Sequence, residues 1–181
     1  MKSTRLVKLA ATAAMIVALP IASHAADGTI TFNGSITAQT CTINGNGAGS
    51  KDFVVKLPVV SASALASAGQ TAGRTPFNIS LSSCTPAAGT VHTFFESGPT
   101  TSASTGNLIM TAGGATNVQI GLLNSDFTAI KAGFADASQN SKAVTLTSGG
   151  ATLSYFAEYV ATGVATAGAA NSTVMYTLAY Q

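Results

Sequence analysis

Short runs of β-favouring residues, each bounded by glycine, serine, threonine or asparagine, recur along this chain. Many of them alternate apolar with small or polar residues, which is the period of a strand that has one face against a core. Strands this short and this closely spaced predict an antiparallel sandwich or barrel and not alternating βαβ units. The predicted strands are DFVVKL (52–57), PFNISLSS (76–83), TVHTFF (90–95), NLIM (107–110), NVQIGLL (117–123), AVTLT (143–147), ATLSYFAEYV (151–160) and STVMYTLAY (172–180). Only SASALASAGQ (61–70) has a helical composition, and it predicts a single turn or a short helix.

The first 25 residues have the pattern of a cleaved secretory signal. A leader with Lys2, Arg5 and Lys8 precedes an uncharged stretch over 9–21, and small residues follow at 23–25. The uncharged stretch is shorter than the roughly 20 residues that a membrane helix needs. The sequence therefore predicts an exported protein whose mature chain begins at Ala26.

The charge of the predicted mature chain is low and nearly balanced. Five lysines and arginines stand against six aspartates and glutamates, which gives a net charge of −1. Five scattered cations form no phosphate-binding stripe, so nucleic acid is not predicted as a partner. Charged residues make up only 8% of the sequence, and a weakly charged surface tends to associate with neighbours.

Two cysteines, Cys41 and Cys84, follow the predicted signal. In an exported chain this favours a disulfide over two separate thiols. A zinc site would need four ligands, and the predicted mature chain has a single histidine. The sequence predicts no metal and no cofactor.

The pattern of reactive residues does not indicate an enzyme. His92 is the one histidine outside the predicted signal, and it lies in TVHTFF with no G-x-S-x-G motif nearby. A lone histidine in an alternating strand is interpreted as a surface residue. The carboxylates are isolated in sequence, and the glycine pairs at 113–114 and 149–150 lack the lysine and the helix of a phosphate-binding loop.

Both ends of the predicted mature chain alternate with a period of two. In GTITFNGSITAQTC (28–41) the apolar residues are Ile30, Phe32 and Ile36, and Gly34 interrupts their row at a cost of about 0.5 to 1 kcal/mol relative to alanine if it lies in a strand. An apolar last strand needs a neighbour, because an exposed edge is a template for pairing with another chain. The residues that share one face of this last strand are Val174, Tyr176, Leu178 and Tyr180.

Four features in this order resemble the major pilins of chaperone–usher fimbriae of the type 1 kind. They are the signal peptide, GTITFNGSITAQTC, a second cysteine that closes FNISLSSC, and YFAEYVATGVATAGAANSTVMYTLAYQ with its penultimate tyrosine. The resemblance spans the whole mature chain. It is most specific in the last 27 residues and in the G-x-x-x-F-x-G-x-I/V spacing before Cys41.

The resemblance implies an all-β fold, an incomplete immunoglobulin-like sandwich that lacks its final strand. A periplasmic chaperone lends a strand first, and the N-terminal extension of the next subunit then replaces it at an outer-membrane usher. By this resemblance 26–40 is the donor-strand extension and 41–181 is the pilin domain. The implied donor residues are Ile30, Phe32, Gly34 and Ile36, and the implied strand that flanks the acceptor groove carries Val174, Tyr176, Leu178 and Tyr180. Gly34 would let the donor backbone approach a shallow part of the groove.

The function that the resemblance implies is that of a non-enzymatic subunit of a surface fimbria used in adhesion and biofilm formation. Its partners would be identical or related pilins, the chaperone and the usher, after export through the periplasm. Three alternatives stay open at this point. The chain is a minor adaptor or an anchoring pilin, or it is a monomeric secreted binding module, or Gly34 marks a β-bulge in an ordinary closed sandwich. A sugar-binding module is disfavoured because four tyrosines and no tryptophan make a poor stacking platform.

Overall fold

The structure is a computed structural model that describes residues 27–36 and 38–181. The predicted signal sequence lies outside these described residues. The chain divides between Ser35 and Ile36 into two units. Among the described residues, no helix is long and apolar enough to cross a membrane.

The second unit is built almost wholly from antiparallel strands, nine within the described part of the chain. The larger sheet has the order β1-β2-β8-β5-β4, with β6 also paired to β5, and the smaller sheet has the order β7-β3-β9. The strands are β1 (Thr40–Gly45), β2 (Thr71–Thr85), β3 (Thr90–Phe95), β4 (Leu108–Ile109), β5 (Val118–Asn124), β6 (Ala129–Ile130), β7 (Val144–Thr145), β8 (Ala151–Ala161) and β9 (Tyr176–Tyr180). Two short helices accompany them, a 3-10 turn at Ala62–Leu65 and α1 at Asp136–Gln139.

The core lies between the two sheets and is centred on the long β2–β8 pair. Ile79 faces Leu153 across this pair, and both side chains are buried. The buried hydroxyl of Tyr155 on β8 donates to Thr93 Oγ1 on β3 at 2.9 Å, which ties the larger sheet to the smaller one. Apolar residues alternate in these strands because one face of each strand packs against the opposite sheet, as the sequence indicates.

A disulfide joins Cys41 on β1 to Cys84 on β2. These two strands are neighbours in the larger sheet. The predicted disulfide is confirmed, and among the described residues no cysteine is left as a free thiol.

Several predicted elements differ from those that form. No strand covers 52–57, the last strand begins at Tyr176 and not at residue 172, and the opening run 28–36 contains no strand. The first strand begins at Thr40, one residue before the predicted start of the pilin domain. These misses share a cause, because a strand requires a hydrogen-bonded neighbour and a period of two in the sequence does not supply one. β6 and α1 were not predicted, whereas the 3-10 turn lies inside the predicted 61–70 segment.

His92 is buried on β3, so its interpretation as a surface residue is wrong. Its Nε2 lies 2.7 Å from Asp136 Oδ1 at the start of α1, and its exposed fraction is only 6% because the α1 segment covers this part of β3. The described residues bring no nucleophile to this pair by a hydrogen bond, which leaves it a structural contact.

Gln139, at the end of α1, acts as a substitute neighbour for the end of β3. The side chain is fully buried. Its Nε2 donates to the carbonyl of Phe95 at 2.7 Å and its Oε1 accepts from the amide of Phe95 at 3.0 Å. The β7 strand pairs only with Thr90 and Val91, so Gln139 satisfies backbone groups that β7 does not reach.

Candidate functional site

A deep apolar groove of about 790 Å³ runs along the free edge of β9. One wall is β9 with the residues that precede it, and the opposite wall is the segment 51–57, called the free wall below. The floor is built from core side chains of β2, β3, β5 and β8, namely Phe77, Ile79, Phe95, Ile120, Leu122 and Ala157. The groove therefore exposes the interior of the sandwich at the place where a further strand would cover it.

The side chains that alternate along the last strand all line this groove. They are half-buried and pack against the core. Tyr176, Leu178 and Tyr180 lie on β9, whereas Val174 lies on the extended stretch just before it. The structure thus brings together on one wall the four residues predicted to flank an acceptor groove: Val174, Tyr176, Leu178 and Tyr180.

The backbone of β9 is paired on one side only. Gln181 and Thr90 exchange two backbone hydrogen bonds. Because hydrogen-bonded pairs alternate along an antiparallel ladder, the backbone N–H and C=O groups of Ala179 and Thr177 also point towards β3. The N–H and C=O groups of the residues between them point to the groove side. There they meet no backbone partner among the described residues. This edge of β9 is open to another strand.

The free wall has the same character. Phe53, Val55 and Leu57 point inwards and are half-buried, whereas Val54 is 74% exposed. Across the described part of the chain, the backbone groups of 53–57 make no main-chain hydrogen bond. The sequence predicted a strand here but did not indicate that it would form the second wall of the site. The alternation of apolar residues correctly indicated which side chains of this segment are buried. It gave no information about which strand would pair with the segment.

An aromatic ridge crosses the groove near its middle. The ring centroids of Phe53 and Tyr176 are 6.2 Å apart, and those of Phe53 and Phe77 are also 6.2 Å apart. The Tyr176 hydroxyl donates to the carbonyl oxygen of Lys51 on the free wall at 2.8 Å. Burial raises the pKa of Tyr176, and the negative charge of Asp52 raises it further, so the hydroxyl stays protonated as a donor.

The predicted donor residues lie in the other unit or at its boundary and are exposed. Ile30 is 79% and Phe32 is 88% exposed, and Ile36 is fully exposed. A Cβ placed on Gly34 would meet nothing within 4 Å. Gly34 is outside any strand, so the β-bulge interpretation finds no support. Neither the apolar residues nor the glycine is required by contacts that the chain makes with itself in this structure.

The chemistry available at the groove is that of strand binding. Two free backbone edges can pair with an added strand, and an apolar floor can take its alternate side chains. In the part of the chain that the structure describes, no group of three or more His, Cys, Asp or Glu residues could hold a metal ion.

A two-sheet sandwich with an apolar groove between two unpaired backbone edges places this chain in the class of immunoglobulin-like subunits of fimbriae. The FimA family, described as type-1 fimbrial protein, A, matches residues 57–181. The chain belongs to this family of fimbrial subunits.

Relatives of known identity cover nearly the whole chain. The major fimbrial subunit SMF-1 of Stenotrophomonas maltophilia strain K279a is 51% identical over 172 residues, which are 92% of this chain and 99% of the relative. The F17 fimbrial protein of Escherichia coli is 51% identical over 166 residues, which are 88% of this chain and 91% of the relative. A subunit in the solved structure of a chaperone–usher pilus, a study of rod uncoiling, superposes with a TM-score of 0.61 at 24% identity and covers 86% of this chain and 96% of that chain. At this identity the superposition bears on the fold alone.

The family membership has direct consequences. The protein is a structural pilin and not an enzyme, it assembles with other pilins, and its place is a fimbria at the cell surface. The all-β, immunoglobulin-like fold is confirmed.

Proposed function

We propose that this chain is a rod subunit that polymerises by donor-strand exchange, with the segment around Ile30–Ile36 of one copy lying in the β9 groove of the next. The observation that carries the proposal is the groove itself, an apolar site whose two walls both have unpaired backbone edges. The same chain also has an exposed alternating segment that matches such a site. A chain with both parts can repeat head to tail without closing, which produces an open filament.

The position of Gly34 favours one direction for the donor strand. The four donor positions are spaced like the four groove residues, two apart. A donor antiparallel to β9 puts Gly34 over Tyr176, the residue whose ring forms the ridge. A parallel donor would instead put Phe32 there, and its bulky side chain would meet the ring of Tyr176. The antiparallel register therefore pairs Ile30 with Tyr180, Phe32 with Leu178, Gly34 with Tyr176 and Ile36 with Val174.

The energy available from this exchange is large compared with the stability of a domain. Burying Ile30, Phe32 and Ile36 contributes about 5 to 9 kcal/mol at about 1.5 to 3 kcal/mol for each side chain. Ladder hydrogen bonds along both walls add about 0.5 to 1.5 kcal/mol each. Since whole domains are stable by about 5 to 15 kcal/mol, a subunit without a donor has low stability and an assembled one exchanges slowly.

That instability gives the chaperone and the usher a physical role. An empty subunit in the periplasm exposes its core through the groove, and an exposed edge of this kind aggregates. A chaperone that lends a strand covers the groove until an outer-membrane usher brings the next subunit. Membership of the type-1 fimbrial family is what supports this route, and adhesion and biofilm formation are the uses that we assign to the filament.

The relatives favour the role of a major rod subunit, since SMF-1, which is 51% identical to this chain, is a major fimbrial subunit. The monomeric binding module requires a sandwich that closes on itself. The open groove argues against it.

Photocrosslinking tests the proposal. Benzoylphenylalanine replaces Phe32 in the mature chain, and isotopically light and heavy copies are mixed before assembly. We expect light–heavy crosslinks from position 32 to β9, near Leu178. The same probe at Thr31, which alternates to the other face, is the control and should not reach the groove floor. Crosslinks confined to single copies, or absent from β9, would contradict the exchange.

A further inference from the structure

One hydrogen bond in the empty groove connects its two walls. The Tyr176 hydroxyl, on β9, donates to the backbone carbonyl of Lys51 on the free wall at 2.8 Å. We call this hydrogen bond the brace. It is a contact between a side chain and the main chain of residues 125 positions apart, so it is not a local turn.

Besides the brace, the free wall is held by apolar packing of Phe53, Val55 and Leu57 against the core and not by a strand ladder. Residues 53–57 have no main-chain partner among the described residues. The main anchor next to the brace is Phe53, whose ring lies so close to β1 that a Cβ on Gly45 would be 1.9 Å from it. Phe53 also packs against Tyr176. Tyr176 therefore holds the free wall twice, through its ring and through its hydroxyl.

We propose that Tyr176 is a positioning residue for strand capture, whose hydroxyl fixes the distance between the two walls at the width of one added strand. This inference rests on the donor-strand function proposed above. With the brace in place, the free wall presents its backbone edge parallel to the edge of β9 before a donor arrives. Without it, the wall must be ordered during capture, and that ordering costs conformational entropy.

The brace is compatible with an occupied groove. The Tyr176 side chain points to the core and lines the groove, whereas an added strand lies in the plane of the two backbone edges. In the proposed antiparallel register, the donor backbone would cross this hydrogen bond at Gly34, where the donor has no side chain. The residue that requires a glycine in the donor is also the residue that sets the width of the acceptor.

The test is a matched pair of variants, Tyr176→Phe and Tyr159→Phe, in the full mature chain. Each change removes one tyrosine hydroxyl. Tyr159 lies on β8 outside the lining of the groove, and its hydroxyl makes no side-chain hydrogen bond to the residues that the structure describes, so that variant controls for the general effect of losing a tyrosine oxygen. Freshly refolded, oxidised chain is mixed with an excess of a fluorescent peptide of residues 27–39, and capture is followed by anisotropy.

We expect Tyr176→Phe to slow peptide capture by about 2- to 10-fold, the effect of one ordinary hydrogen bond. Trypsin cleavage after Lys51 and Lys56, both exposed on the free wall, should accelerate while hydrogen exchange in β2 and β8 is unchanged, which a general loss of stability would not produce. Tyr159→Phe should behave like the wild type. Replacing Tyr176 by 4-aminophenylalanine, which keeps a donor at the same position, should restore the rate.

Capture by Tyr176→Phe at the wild-type rate, or faster, would overturn the brace while leaving the donor-strand function intact. Failure of the wild type itself to capture the peptide would instead overturn the proposed function. If Tyr176→Phe does not fold, the 4-aminophenylalanine variant decides the question. Capture by that variant near the wild-type rate supports the brace, and capture more than about 2-fold slower than the wild type contradicts it.

Discussion

At the scale of the residue, Gly34 is the link between the sequence and the proposed donor-strand contact. Among the described residues a Gly34 side chain would meet nothing, so no contact that the structure describes selects glycine. The break in the apolar row of this segment predicted that something requires a glycine at this position. The proposed counterpart, the ridge of Tyr176 and Phe53, could not be predicted from the sequence, because it depends on how the free wall packs across the groove.

Changing Gly34→Val should block or slow polymerisation, by about 5- to 150-fold if the penalty is that of an overpacked core. The valine side chain would meet the Tyr176 ring in the acceptor. Polymer formation followed by light scattering measures the effect. Gly28→Val is the matched control, since Gly28 is in the same segment, also has open space around it, and lies beyond Tyr180 in the antiparallel register. Equal rates for the two variants would remove the reason for the glycine.

The disulfide is a residue-scale prediction that the sequence alone could make. It follows from two cysteines and an export signal, and needs no knowledge of the fold. Changing Cys41→Ser and Cys84→Ser together should lower the free energy of unfolding by about 4 kcal/mol in the chain-entropy account, since the crosslink spans 43 positions. A thermal melt of the serine variant against the oxidised wild type measures it. A melting temperature equal to that of the wild type would show that the crosslink contributes nothing.

At the scale of the element, strands were well predicted where they pair within the subunit and poorly where they do not. The predicted strand TVHTFF has the same limits as β3. The predicted strand at 151–160 ends one residue before β8 does. The segments 52–57 and 28–36 alternate equally well but have no ladder partner in this chain. Their pattern is that of strands, and in the proposed assembly each finds its partner only in another copy.

β3 depends on an element that the sequence did not reveal. Changing Gln139→Ala should lower the free energy of unfolding by about 2 to 4 kcal/mol, because the amide and carbonyl of Phe95 lose their partners in a buried place. Denaturant unfolding of assembled and of peptide-bound chain measures the loss. Gln70→Ala is the control: its side chain is exposed and accepts one local hydrogen bond from Ser67. An equal effect of the two changes would mean that Gln139 does not support β3.

At the scale of the whole molecule, the apolar groove and the low charge content are typical of a subunit whose surface is covered by neighbouring subunits. The fold class followed from the spacing of short strands, whereas the openness of the sandwich came only from the resemblance to pilins. The amino-acid composition of a chain does not indicate that its sandwich lacks a strand. That property lies in the arrangement of β9 and the free wall, which are 119 or more positions apart at their nearest ends and are brought together by the fold.

The strand order leads to a final prediction about the whole subunit. Tyr180 is the last residue of β9, so a strand that follows Gln181 through a short turn can run antiparallel to β9 along the groove. We expect that deleting 26–36 and attaching a copy of 27–39 directly after Gln181 produces a monomer that does not polymerise. Gln181, Asp27, Gly28 and Thr29 then form a four-residue turn that brings Ile30 opposite Tyr180. Its sandwich would be completed within one chain, at the register with Gly34 over Tyr176.

Sizing and a thermal melt measure this outcome. The fused chain should be monomeric, and more stable than the deletion without the attached strand, which should remain poorly folded and fail to extend a filament. A second fused chain carries Gly34→Val in the attached copy and should lose much of the added stability, by about 1 to 3 kcal/mol. Polymers from the fused chain, or a deletion variant that is stable alone and still forms filaments, would show that the groove of this subunit does not need a strand from another molecule.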